Sequence, residues 1–209
     1  MFLDRADAGR RLAEALRGRL AGDLVVLGIP RGGVIVAESV ARALRAPLDV
    51  VVPRKIGAPR NPELAIGAIA PGVQVWDTGL IRRLAVPARY LEEVVGSEEA
   101  EIVRRSVRFR AGLPPLAVEG KSVVVVDDGI ATGATAVAAI RWVRRQKAAR
   151  VVLAVPVAPP ETIERLEEEA DEVVALETPW HFRAVGEWYE RFDQTSDDEV
   201  VAAIEGSAR

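Results

Sequence analysis

The sequence contains no cysteine, which rules out disulfides, thiol nucleophiles and thiolate metal sites. Histidine occurs once, at His181, and no serine, cysteine or second histidine is patterned around it to make a hydrolase triad. No window approaches the roughly eighteen uninterrupted apolar residues of a membrane span. The start, MFLDRADAGRRL, has early charges and no apolar signal core, which points to a cytoplasmic protein. A basic excess is missing too: the formal net charge is −3, which argues against a general nucleic-acid binder. Lysine is scarce, with 3 against 25 arginines, and Asn61 is the one asparagine. That bias suits a thermophile or high-GC codon usage equally well.

What is present reads as one domain with a substantial core: 209 residues, 49% apolar and 28% charged, without repeats or low-complexity segments. The chain centres on Ser122–Thr135, SVVVVDDGIATGAT. The run Val123–Val126 predicts a strand buried on both faces of a parallel sheet. It ends in Asp127–Asp128, then a loop of small residues leads into a helix predicted to reach about Gln146. This order sets two carboxylates at the carboxyl end of a strand. Beside them lies a helix start, whose unpaired N–H groups and positive dipole end favour a phosphate. The lysine-bearing phosphate loop, G-x-x-x-x-G-K-[ST], is absent. The pattern suits a ligand with a phosphate at one end and hydroxyls, with or without a metal ion, at the other.

A second strand–turn–helix precedes it. The apolar run Leu24–Ile29 ends in Pro30-Arg31-Gly32-Gly33, and a helix is predicted over Val34–Leu44. Gly32 and Gly33 permit close backbone approach to a ligand, and Arg31 can fork onto phosphate oxygens. Leu48–Val52 reads as a strand, and after it Pro53–Glu63 is a basic, Pro/Gly-punctuated segment: a functional lid or a solvated basic hairpin. Further elements are predicted at residues 7–20 (helix), Leu64–Ala70 and Gly72–Trp76 (strands), Arg150–Val157 (strand), Pro160–Glu168 (helix), Asp171–Leu176 (strand) and Asp197–Ile204 (helix). Leu80 to about Ala111 reads as helical, with Pro87 as the N1 residue of a helix and a break at Gly96–Ser97, where Ser97, followed by Glu98 and Glu99, would be the N-cap of a second. In the tail, Trp180, Phe182, Trp188, Tyr189 and Phe192 crowd into thirteen residues of a chain with ten aromatics.

The acid pair followed by Ala131-Thr132-Gly133-Ala134-Thr135 resembles the signature of the type I phosphoribosyltransferases, and the Arg-Gly-Gly turn resembles the pyrophosphate loop of their xanthine-specific members. The resemblance implies an α/β fold: a mainly parallel, doubly wound sheet, a core over about 1–177, a C-terminal hood over about 178–209 and a helical insert. It implies transfer of a phosphoribosyl group from phosphoribosyl pyrophosphate (PRPP) to a nucleobase or related nitrogenous base. Mg²⁺ is the implied cofactor, carried by PRPP and met through water by Asp127 and Asp128, and the resemblance leaves room for a homodimer. Asp127 and Asp128 would hold the ribose hydroxyls, and Ala131–Thr135 the 5-phosphate. Arg31, Gly32, Gly33 and Arg60 would bind pyrophosphate, with Arg54 and Lys55 as catalytic cations on a closing loop. Trp180 and Phe182 would either stack on the base or pack the tail onto the core.

In the family that pyrophosphate loop often carries a cis peptide. At Pro30–Arg31 the bond is not X-Pro, so a cis form would need packing or ligand contacts to hold it. Two departures leave the acceptor open. Ala131 stands where 6-oxopurine enzymes carry an aspartate, and no lysine follows the strand at 150–157, where the chain reads VAPPE. A non-catalytic sensor of PRPP or a nucleotide, or a phosphohydrolase-like module, would use the same residues.

Overall fold

A computed structural model of the chain describes residues 1–207, so the last two positions of the expected hood lie outside the described residues. The first half runs α1 (Arg5–Leu16), β1 (Leu24–Gly28), α2 (Gly32–Leu44), β2 (Leu48–Val50), β3 (Arg54–Ala58), β4 (Asn61–Ala70), β5 (Val73–Trp76), α3 (Thr78–Arg83) and α4 (Ala88–Phe109). The second runs β6 (Ser122–Val126), α5 (Ala134–Arg145), β7 (Arg150–Val157), α6 (Pro160–Glu167), β8 (Glu172–Glu177), a 3₁₀ turn (Val185–Trp188) and α7 (Asp197–Glu205).

Five strands form a parallel sheet in the order β2-β1-β6-β7-β8. The valine run of β6 is its centre, and Val123–Val126 are fully buried. Their side chains alternate between faces, as the period of two requires. Val124 and Val126 join a core with residues of α1, α2, α4 and α7, while Val123 and Val125 join one with α5 and α6. The chain winds outward from β1 to β2, then returns to β6 and winds the other way through β7 and β8. The β1/β6 boundary is therefore the switch point, where ligands of such sheets bind beyond the strands' carboxyl ends. The Arg31–Gly33 loop leaves β1 and the acid pair leaves β6, so both lie there.

A separate antiparallel sheet, β3-β4-β5, accounts for the basic segment. Residues 54–58 are a strand paired with β4, so the segment forms a hairpin. Ile56 and Ala58 face inward, and Pro59 sits in the turn, where its missing N–H costs the ladder nothing. Other boundaries also shift. The first helix ends at Leu16 rather than 20, ahead of Gly18 at φ +75°. The first parallel edge strand ends at Val50. Gly96–Ser97 does not break the insert: α4 is continuous through it, and Ser97 Oγ donates back to the Val94 carbonyl instead of capping a new helix. The break falls earlier, at 84–87, where Ala85 takes φ +48° and Pro87 is the N-cap of α4. No helix among the described residues is long and apolar enough to cross a membrane.

Candidate active site

The glycine loop and the acid pair meet. A Cβ on Gly32 would overlap Asp128 Oδ2, and one on Gly33 would lie 2.8 Å from Asp127 Cα. Only a residue without a side chain lets the two loops touch. The Pro30–Arg31 peptide is cis. Arg31 is exposed and its guanidinium stands 3.6 Å from Asp197 at the start of α7.

Asp127 accepts the Asp128 backbone N–H at 2.8 Å. Burial, and then the neighbouring Asp128 carboxylate, hold Asp127 well above the usual carboxylate range. Asp128 has a cation that the sequence did not point to: Arg5, at the start of α1, bonds its Oδ2 through Nε at 2.7 Å. Tyr189 donates its hydroxyl to the Asp128 carbonyl at 2.5 Å, and burial, then the Asp128 charge, push its phenol upward. Neither partner has a local signature, because each comes from a chain end.

The small-residue loop runs 127–133 and α5 begins at Ala134, with Gly133 as N-cap at φ +78° and no side-chain cap. The first N–H groups of α5 are thus free of a capping side chain, as a helix start that is to accept an anion requires. The loop is braced from α6: Thr162 Oγ1 donates to the Ala131 carbonyl and Arg165 to the Thr132 carbonyl, both at 2.7 Å. Ala131 and Thr132 stay exposed, and Ala134 and Thr135 half-buried.

The remaining predicted residues are not drawn in. Arg54 is bound to Glu98 of α4 at 2.5 Å, Lys55 stands 3.6 Å from Glu63, and Arg60 is exposed at the hairpin turn. No ion pair among the described residues links these three to the acid pair. Trp180 is 83% exposed and Phe182 half-buried, and neither makes a ring contact among the described residues. The tail aromatics that reach the acid pair are Tyr189, directly, and Phe192, through Arg5.

Switch-point carboxylates, an uncapped helix start and a glycine loop that touches the acid pair thus lie together at one end of the parallel sheet. The model of the phosphoribosyl transferase domain matches residues 2–191, and the chain belongs to that family. Two proteins of Mycobacterium tuberculosis, strains CDC 1551 / Oshkosh and H37Rv, carry the name "Putative phosphoribosyl transferase" and are 49% identical over 210 residues. All of this chain is matched but only 47% of theirs, so it spans about half the length of these relatives. The crystal structure of the TT1426 protein of Thermus thermophilus is 45% identical, with TM-score 0.83 over 100% of this chain and 99% of that one. The AQ2163 protein of Aquifex aeolicus shares the fold at 17% identity and TM-score 0.52, over 83% of this chain and 74% of that one.

Proposed function

We propose that the chain transfers the phosphoribosyl group of PRPP to a nitrogenous base, with Mg²⁺ accompanying PRPP. The observation that carries this reading is the contact of the Gly32–Gly33 loop with Asp127–Asp128 at the switch point, beside the open start of α5. On this reading the three adjacent features follow the order of PRPP's own groups: pyrophosphate, ribose diol and 5-phosphate.

Asp127 and Asp128 accept hydrogen bonds from the ribose hydroxyls. The N–H groups of Ala131–Thr135, with the Thr132 and Thr135 hydroxyls, hold the 5-phosphate. Gly32 and Gly33 let pyrophosphate approach the backbone, and Arg31 exchanges Asp197 for a phosphate oxygen. A nitrogen lone pair of the base attacks C1, the C1–O bond breaks, and its electron pair leaves with pyrophosphate. The base's N–H proton passes to solvent or to a group this chain has not assigned. Catalysis then rests on positioning and on charge stabilisation at C1 and the leaving group. For Arg54, Lys55 and Arg60 to reach that group, the β3–β4 hairpin has to fold over and Arg54 has to leave Glu98.

The residues fit Mg²⁺ as a ligand-borne ion. Two carboxylates offer hard oxygens, while no group of three or more His, Cys, Asp or Glu among the described residues could hold a metal by itself. Mg²⁺ suits such a site because it keeps waters and shares substrate phosphates. When bound it neutralises the leaving pyrophosphate.

Calorimetric titration with PRPP and Mg²⁺, on the native protein and on Asp127→Asn/Asp128→Asn, tests the reading. Metal-dependent binding that the double change abolishes supports it, and pyrophosphate release with one of a panel of bases separates a transferase from a sensor. Absence of binding by the native protein overturns it.

A further inference from the structure

We infer that Arg5 is a positioning residue of this site, aiming the Asp128 carboxylate at the ligand; the inference rests on the phosphoribosyl reading above. Its guanidinium makes a closed circuit. Nε bonds Asp128 Oδ2 at 2.7 Å, Nη1 bonds the Asp193 carbonyl at 2.7 Å, and the group lies 4.0 Å from the Phe192 ring centroid. Phe192 packs on Tyr189 with centroids 4.9 Å apart, and Tyr189 returns to the Asp128 carbonyl. Asp128 is therefore gripped at both side chain and backbone. The Arg5 and Asp128 side chains are 12% and 17% exposed, so water competes weakly for the pair.

The placement is costly without a functional partner. Arg5 opens α1, and a cation at a helix N-terminus is disfavoured by the dipole. Its bonded counter-charge is the carboxylate of Asp128, for which Arg5 is the sole ion-pair partner among the described residues. The pair also sits against the pyrophosphate loop: a Cβ on Gly32 would lie 2.5 Å from Arg5 Nε. Arg5 thus fixes which way Asp128 points where acid pair and glycine loop meet. Lysine cannot reproduce this, since a point charge lacks the planar fork that bonds Asp128 Oδ2 and the Asp193 carbonyl from over the Phe192 ring.

The test compares native protein, Arg5→Lys and Arg5→Gln by calorimetry with PRPP and Mg²⁺, alongside crystal structures of native protein and Arg5→Gln. Expected is a loss of affinity of about 100-fold for Arg5→Gln, the scale of a misaligned contact. Arg5→Lys recovers part of it, and Asp128 turns away from Gly32 in the Arg5→Gln crystal. In turnover the loss falls on KM for PRPP more than on kcat, because the diol is gripped in ground and transition states alike. Native affinity in Arg5→Gln, or an unmoved Asp128, overturns the proposal. Should the native protein bind no PRPP, the transferase reading fails, and the two crystal structures alone decide whether Arg5 orients Asp128.

Discussion

The acid-pair end of the parallel sheet and the helical insert with its hairpin are built on different principles. At the acid pair nearly every polar contact joins distant parts of the chain: Arg5 and Tyr189 reach Asp128 across 123 and 61 positions. On α4 Tyr90, Glu98 and Arg108 reach Gly57, Arg54 and α7, while about half of the polar contacts are one turn long, Arg89 with Glu93 and both Arg104 and Arg105 with Glu101. Those exposed pairs contribute little each, and Val103 and Val107 remain 63% exposed beside them. The lesson is about tolerance. The acid-pair end stores its geometry in close contacts that a single atom disturbs, whereas the middle of α4, around Gly96, has room to spare.

Glycine substitutions break this comparison most sharply. Gly32→Ala drives a methyl into Asp128 and Arg5, so PRPP affinity is expected to fall by about 100-fold, the cost of displacing a ligating group by an ångström. Gly96→Ala, in the middle of α4 with nothing within 4 Å of its Cβ, goes the other way. It should raise stability by about 0.5–1 kcal/mol in urea unfolding, because a helical glycine carries excess unfolded-state entropy. Equal effects at the two positions would mean the regions do not differ as described.

Asp127→Asn sharpens the contrast between function and stability. Burial and Asp128 raise the folded-state pKa of Asp127 above its ordinary 3.8. Its contribution to stability is then full below that value and is lost as pH rises through the raised folded value. At neutral pH the native protein carries the cost of a half-buried carboxylate beside a second one, which asparagine avoids, while the amide oxygen keeps the Asp128 N–H bond. Scanning calorimetry at pH 7 should show a Tm higher by roughly 2–4 °C, equivalent to about 1 kcal/mol in a chain of this size, with the gain vanishing near pH 4. An unchanged Tm at pH 7 would remove the strain ascribed to the pair.

The smallest expected effect concerns Asp171, away from both regions. Burial works against its charge, but the Val151 N–H and Arg144 outweigh it and lower its pKa below 3.8. A lowered carboxylate stabilises above its ordinary value and loses that contribution as pH falls through the folded one. Asp171→Asn should therefore be slightly less stable at neutral pH and converge with the native protein in strong acid. Denaturant midpoints at pH 7 and pH 2 check it.

Local chemistry sufficed for the central strand, the acid pair after it, the helix start at Gly133 and the glycine turn after β1. In each case the information lies within about fifteen consecutive residues: an apolar run of period two, a pair of charges it cannot bury, and small residues where the backbone must come close. Phosphoribosyltransferase family membership was visible from those same stretches. The hairpin was half legible, as one of two readings. Its basic, Pro/Gly-marked residues say nothing about pairing until Ile56 and Ala58 find a core to face.

Tertiary structure alone decided who stands beside the carboxylates. Arg5 looks like any surface arginine of an amphipathic helix, and Tyr189 like one aromatic of five in a tail. Neither has a period or a neighbour that marks it. Their meeting with Asp128 depends on how both chain ends dock over the switch point, through the Phe2–Tyr189 bridge and the packing of Phe2 on the Tyr189 ring. Likewise, Arg54's partner was settled by where α4 crosses the hairpin, not by the charge of its own segment. Sequence specified the acid pair, the glycine turn and the helix start because they are set by local backbone geometry. Their counter-charges were left to the fold, because an ion pair is set by distance in space and leaves no periodic trace along the chain.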